Sequence, residues 1–195
     1  MSVNGSWDDP EGFDRLRRRV LWALPTGLFV VGSRAAGTRN LMTCNWVMQV
    51  ATTPKLVALA VESDSMTRDL IERGGSFSVS LLTRSDRGLV RRFVKPVRDT
   101  ETDAAGVATS MQGEPVIEVA NGLPCLVRSV AWLACSVRSI VNWDGIQSSG
   151  AEPLPASHVL VVGEVLEVGE SDRLASPDDE DAILSMTDTR MNYGG

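Results

Sequence analysis

Strand-like runs dominate this chain, and they follow one another at hairpin spacing rather than alternating with helices. TGLFVVGSR (26–34) is rich in branched and aromatic residues, AAGT (35–38) reads as a turn, and a second strand follows from Arg39 until Pro54 breaks it. KLVALAV (55–61) is apolar on both faces and is expected to be central. In SFSVSLL (76–82), Phe77, Val79 and Leu81 alternate with Ser76, Ser78 and Ser80. LVRSVAWLACSVRSIVNW (126–143) is a long strand or two, and SHVLVVGEVLEVGE (157–170) is the last. Helical spacing covers residues 12–24, where Phe13, Leu16, Val20 and Leu24 recur among solvated arginines. DSMTRDLIERGG (64–75) reads as a helix capped near Asp64 or Ser65 and closed by Gly74-Gly75. RSDRGLVRRFV (84–94) looks helical, and a short helix is expected around 179–185. Residues 96–122 read as a long polar excursion, 150–156 as a loop, and 186–195 as an irregular tail. About six strands with few intervening helices predict a mainly β fold. An antiparallel barrel with peripheral helices is favoured over a doubly wound sheet.

At 195 residues the chain fits one domain, 1–195, with a core at about 16–169. The formal net charge of −6 argues against a general grip on nucleic acid, which needs a surplus of cations. The three cysteines form no C-x-x-C pair, so neither a disulfide framework nor a metal site is expected. The start MSVNGSWDDPEGF is polar and acidic, unlike a signal peptide, and no apolar run approaches the ~20 residues that span a bilayer. The expectation is a cytoplasmic protein without a membrane partner.

Four stretches could carry chemistry. In TCNW, period-2 alternation puts Thr43 and Asn45 on one face, Cys44 and Trp46 on the other, with Gln49 further along. Such a wall suits a flat heteroaromatic ligand; it equally fits an edge strand with one wet face. In ESDSMTRDL, Glu62, Ser63, Ser65 and Thr67 surround a strand end and a helix start. Hydroxyls and unpaired N–H groups there can seat an anion, or simply cap the helix. VRRFVKP offers Arg91, Arg92 and Lys95, either for a phosphate or as a solvated helix end. His158, the only histidine, opens the last strand, where function gathers, but has no metal-ligand partners at suitable spacing. There is no G-x-S-x-G, P-loop or G-x-G-x-x-G. Tyr193 is the only tyrosine and lies in a tail that could fold back over a ligand.

The ordered series GLFVVGS, LMTCNWVMQVATTPKLVALAVE, SDSMTRDLIERGGSFSVSLL, GLPCLVRSVAWLACSV and SHVLVVGEVLEVG resembles the flavin reductase-like family, the FMN-binding split barrels. The resemblance runs from about residue 16 to 169. It implies a split antiparallel β-barrel that forms a homodimer, with FMN or FAD near the subunit interface and NADH or NADPH as hydride donor. It implies that Thr43, Cys44, Asn45, Trp46 and Gln49 line the flavin ring, and that Glu62, Ser63, Ser65 and Thr67 hold the ribityl chain and phosphate. Phe93 and Lys95 would approach the flavin, and His158 would lie near the nicotinamide. The implied activity is NAD(P)H:flavin oxidoreductase, with a monooxygenase as a partner that receives reduced flavin. Ala156-Ser157-His158 stands where the family has Gly-Asp-His, and residues 97–122 are longer than expected. A bound-FMN electron carrier, a deazaflavin-binding barrel and a barrel without turnover are the alternatives.

Overall fold

The computed structural model describes residues 10–143, 156–175 and 182–189. Helix α1 (Pro10–Trp22) is followed by strands β1 (Phe29–Ala35), β2 (Thr38–Cys44), β3 (Val47–Ala51) and β4 (Leu56–Glu62), then helix α2 (Met66–Gly74) and β5 (Ser76–Leu81). Next come β6 (Thr100–Thr102), β7 (Ala108–Met111), β8 (Glu114–Val119), β9 (Leu123–Leu126), β10 (Ala131–Val141), β11 (His158–Glu170) and the short α3 (Asp172–Ala175). Seven strands form one antiparallel sheet in the order β2-β1-β5-β10-β11-β4-β3. The mainly β, antiparallel expectation holds, and β4 is an interior strand as its two apolar faces required. The barrel is not closed: β2 and β3, consecutive in the chain, are the two open edges of the sheet.

The β1–β2 hairpin turns on Ala36 (φ 47°) and Gly37 (φ 84°), the paired positive values of a two-residue turn whose twist matches that of the strands. Neighbours on β1 serve different cores, as a period of two demands. Val30 joins Leu28, Leu41, Val90, Phe93, Met111 and Leu126; Val31 joins Leu59, Val61, Ile71, Phe77, Val79 and Val161.

The serine face of β5 is not wet. Ser76, Ser78 and Ser80 are all buried, the last two because β9 crosses over them. Ser78 Oγ donates to the Pro124 carbonyl at 2.7 Å, and Leu126 N–H donates to Ser80 Oγ at 3.1 Å. Gly32 permits this approach: a Cβ there would sit 2.1 Å from the Pro124 carbonyl oxygen. Residues 96–122 are correspondingly not an irregular excursion. They carry β6, β7 and β8, which with β9 make a second, four-stranded sheet. Its polar composition reflects one solvated face; Ala108, Met111 and Val116 supply the other.

Further expectations are refined or corrected. Residues 84–94 are helical as expected, but only as two short 3₁₀ segments, Arg84–Asp86 and Leu89–Phe93, broken between them. Helix α1 matches the expected span, but Val20 and Leu24 of its apolar set are exposed. The helix expected at 179–185 has its first part outside the described residues, and the rest is extended: Gly27 bridges Ser185 and Thr83 bridges Ile183. Here Leu184 N–H donates to the Leu82 carbonyl (2.8 Å), and Leu28 N–H donates to the Leu184 carbonyl (2.9 Å). The Leu184 side chain is fully buried in the first core, so packing continues well past the expected limit near 169.

Replacing Leu184 by Ala is expected to cost about 2–5 kcal/mol, read as a lower urea midpoint at unchanged slope. A midpoint that does not move would mean that residues 182–189 contribute nothing to the folded state.

Candidate functional site

The chain crosses from one open edge of the sheet to the other at Asn45-Trp46, between β2 and β3. No strand ladder closes this seam. Side chains and single bonds span it instead. Ala60 N–H donates to the Trp46 carbonyl at 3.0 Å, and Cys44 Sγ lies 3.5 Å from the Ala60 carbonyl oxygen. Met42 to Trp46, Ala60 to Glu62 and His158 line a narrow cavity at the seam.

His158 reaches this cavity by register. It opens β11 directly opposite Glu62, the last residue of β4. Trp46 meets its ring edge-on, with centroids 4.9 Å apart and planes at 68°. Ser157 Oγ is 2.8 Å from His158 Nδ1. Partial burial pushes the imidazole below its ordinary value, and the Glu62 carboxylate pulls it part of the way back. The folded protein therefore favours the neutral ring. The stability this contributes is complete above pH 6.5 and is lost as pH falls through the folded value.

His158 also lines a second, more open cleft of about 200 Å³, with Ser63, Asp64, Arg68, Asn142 and Trp143. The cleft abuts the start of α2. Ser65 caps that helix: its Oγ accepts from Arg68 N–H (3.1 Å) and donates to the Glu62 carbonyl (2.8 Å). Gly75 at φ 65° closes the other end, as expected. Ser63 ties the end of β4 to the start of β11, its N–H donating to the Ser157 carbonyl and its Oγ to the Ala156 carbonyl.

The residues nominated from sequence separate into three groups. Thr43, Cys44, Asn45, Trp46 and Glu62 meet at the seam, Ser63 lies in the cleft, and His158 belongs to both. Ser65 and Thr67 stand at the adjoining helix start with their hydroxyls already engaged; Thr67 Oγ1 accepts from Asn40 Nδ2 at 3.0 Å. Thr43 Oγ1 likewise donates to the Val90 carbonyl at 2.5 Å. Gln49, Phe93 and Lys95 line neither cavity. The Gln49 amide bonds to the Ala51 carbonyl on an exposed edge, Phe93 is fully buried in the first core, and Lys95 is exposed. Tyr193 lies outside the described residues.

The groups left for a ligand are therefore not the hydroxyls. Asn45 is 5% exposed and lines the seam, with no hydrogen bond to its amide among the described residues. Arg68 pairs through Nη2 with Glu72 at 3.0 Å, while its buried Nε has no acceptor. Arg68 escaped the sequence reading, yet a signal was there. It is a cation in the first turn of a helix, where the dipole disfavours positive charge. Asn142 and Trp143 also escaped, because the end of a predicted strand carries no chemical signature.

Cys44 lines the seam but is inert: burial pushes its thiol up to about 12, against a smaller opposing effect of the Trp46 backbone. Burial likewise raises Cys135 to about 12 and raises Cys125. None of the three thiols should react with a disulfide reagent at pH 8 until urea unfolds the protein; fast native labelling would contradict this burial. The single histidine resonance should titrate with a midpoint below 6.5, and lower still in Glu62→Gln. A midpoint above 6.5 would show that Glu62, not burial, governs the ring.

A model of the flavin reductase like domain matches residues 21–193. A flavin reductase of Pseudomonas putida is 28% identical over 96% of this chain and 90% of its own length. A diflavin flavoprotein of Nostoc sp. is 30% identical over 57% of this chain, which spans only 19% of that protein. Among solved structures, the NADH:FAD oxidoreductase SgcE6 of Streptomyces globisporus C-1027 superposes with a TM-score of 0.63 at 21% identity, covering 88% of this chain and 89% of that one. The styrene monooxygenase flavin reductase of Pseudomonas putida S12 gives 0.59 at 24% identity, covering 78% and 86%. With 173 of its residues inside the family match, from 21 to 193, the chain belongs to the flavin reductase like domain family.

Proposed function

We propose that this protein is an NADH-dependent flavin reductase that accepts hydride from a nicotinamide and passes the electrons on through flavin. The observation that carries the reading is the seam itself. Family membership coincides there with a wall of Thr43 to Trp46 in which the Asn45 amide lines the cavity without a hydrogen bond among the described residues. A flavin ring needs donors and acceptors along its heteroatom edge, and an amide supplies both. Arg68, with an orphaned Nε beside a helix start, suits a phosphate at the other end. We take FMN as the smallest flavin that reaches both.

Flavin, when bound, supplies the hydride-accepting centre. The chain positions and shields it. Trp46 and His158 pack edge-on against one another and both line the cavity, and the neutral His158 adds no cation beside it. The Asn45 amide would orient the heteroatom edge and donate where negative charge develops. Arg68 would hold the phosphate end. NADH is chosen over NADPH because relatives of this chain carry NADH in their names. A monooxygenase as the receiver of reduced flavin is supported by the similarity to a styrene monooxygenase reductase. A homodimer accounts for the exposed Val20, Leu21, Trp22 and Leu24 at α1 and Met48 and Val50 on the open edge β3.

One observation favours a second reading, a bound-flavin electron carrier fed by another protein. Ser157 rather than an acid contacts His158, so the ring lacks a carboxylate on Nδ1.

Anaerobic titration with FMN, followed by NADH and then NADPH, distinguishes these. Rapid bleaching by NADH is expected; tight binding with no bleaching by either donor would sink the reductase reading. Arg68→Ala should raise the FMN dissociation constant by about tenfold or more, as loss of a charge-assisted bond does, and leave riboflavin affinity unmoved. An equal loss for riboflavin would remove Arg68 from the phosphate.

A further inference from the structure

His158 is the one residue that lines both the seam and the cleft, and a single hydroxyl decides what it offers there. Its Nδ1 lies 2.8 Å from Ser157 Oγ, while Nε2, at the far end of the ring, has no hydrogen bond among the described residues. Nε2 is therefore the nitrogen left for a ligand. The hydroxyl is held in place from behind. Ser63 N–H donates to the Ser157 carbonyl at 2.9 Å, and Ser63 Oγ donates to the Ala156 carbonyl at 3.0 Å, so the peptide groups on both sides of Ser157 are fixed. The edge-on contact with Trp46 fixes the ring itself. A neutral imidazole carries one N–H, and the partner at one nitrogen decides the state of the other. A carboxylate on Nδ1 would only accept, holding the proton there and leaving Nε2 a bare acceptor. A hydroxyl can donate.

We propose that Ser157 is a positioning residue: its hydroxyl donates to Nδ1, holds the His158 proton on Nε2, and so makes the ring a hydrogen-bond donor to a carbonyl oxygen of the bound ligand. The proposal rests on the seam being the flavin ring site. Two observations set the direction of the bond. Nδ1 is the one acceptor that Ser157 Oγ meets among the described residues. The Glu62 carboxylate, opposite on β4, acts on the ring and can only accept, so it favours an N–H at the nitrogen that has no other partner. Asp64 and Arg68, one of each sign, face the ring from the cleft, and Asn142 and Trp143 beside them are uncharged. The arrangement also frees the donor from pH. Nε2 carries a proton in the neutral ring and in the imidazolium alike, so titration of His158 changes its charge without removing the donor. With the proton on Nδ1 instead, Nε2 would donate only below the titration midpoint.

Because His158 is the sole histidine, its two ring nitrogens can be read directly by NMR in the isotopically labelled full chain. Above the titration midpoint, Nε2 should give the signal of a protonated nitrogen and Nδ1 that of a bare one; the reverse would overturn the proposal. Ser157→Ala removes a bond made to the neutral ring, so the midpoint should rise, and Ser157→Thr should bring it back. A fall would show that the hydroxyl accepts, which also overturns it. Ser157→Asp should move the proton of the neutral ring to Nδ1. In that variant kcat/KM for NADH, measured anaerobically at saturating FMN, should drop about tenfold, as loss of one hydrogen bond to a buried partner does, as pH rises through its midpoint. The wild type should stay within twofold across its own. Parallel profiles would overturn the role in the reaction. If FMN affinity falls in step, the accepting carbonyl belongs to the flavin; if only the KM for NADH rises, it belongs to the nicotinamide, and either supports the proposal. An unchanged melting temperature excludes unfolding as the cause. A wild-type protein that NADH does not reduce would refute the reductase reading, while the ring signals would still decide the Ser157 contact.

Discussion

The sheet depends on one crossing. β2 and β3 are consecutive in the chain, yet they stand at opposite edges of a seven-stranded array. An antiparallel sheet that curls this far ordinarily completes its ladder and removes both edges. Here the chain spends Asn45 and Trp46 on the crossing, and the edges are held by the Trp46–Ala60 backbone bond and the Cys44 thiol plug. Backbone and side-chain groups that a closed ladder would consume stay available at the seam. The candidate site follows from that geometry, because every other wall is brought to it by register with β4 and β11.

The rest of the molecule keeps the seam rigid by burying β1 and β5 on both faces. One face packs on the interior that contains Phe77 and Val161, the other beneath β9 and the first core. Thr43 couples these layers to the site. Its hydroxyl is spent on the Val90 carbonyl in the 3₁₀ turn that carries Phe93, so the wall next to Asn45 is anchored in the core rather than in a mobile loop. Asn40 does the same for α2, accepting from Val97 N–H and donating to Thr67. Polar side chains in this strand thus serve two ends. Thr43 and Asn40 fix position, and Asn45 alone is left for a ligand.

Much of this was legible in the sequence where local rules decide. The Ser65 cap, the Gly75 terminus, the β1–β2 turn and the long β11 follow from residue type and period, and so does His158 at a strand start. What escaped depends on tertiary cover. Ser76, Ser78 and Ser80 read as a solvated face because alternation reports polarity, not what lies above it. Residues 96–122 concealed strands because short, half-exposed strands resemble loops in composition. Phe93 and Gln49 belonged to nominated segments but point away from both cavities, into the core and off an exposed edge. Arg68 was overlooked because hydroxyls, not a cation, draw attention at a helix start.

Residues 182–189 occupy a slot between the segment before β1 and the end of β5, so the first core receives the Leu184 side chain from a segment that follows β11 in the chain. During synthesis, when the N-terminal parts of a chain emerge first, the Leu28 N–H and the Leu82 carbonyl must wait, without this partner, until Leu184 has left the ribosome. A nascent chain in that state exposes an apolar groove lined by open backbone groups, the kind of edge to which a neighbouring strand can add. For this protein the groove therefore stays open to mispairing throughout the synthesis of the second sheet and of β10 and β11.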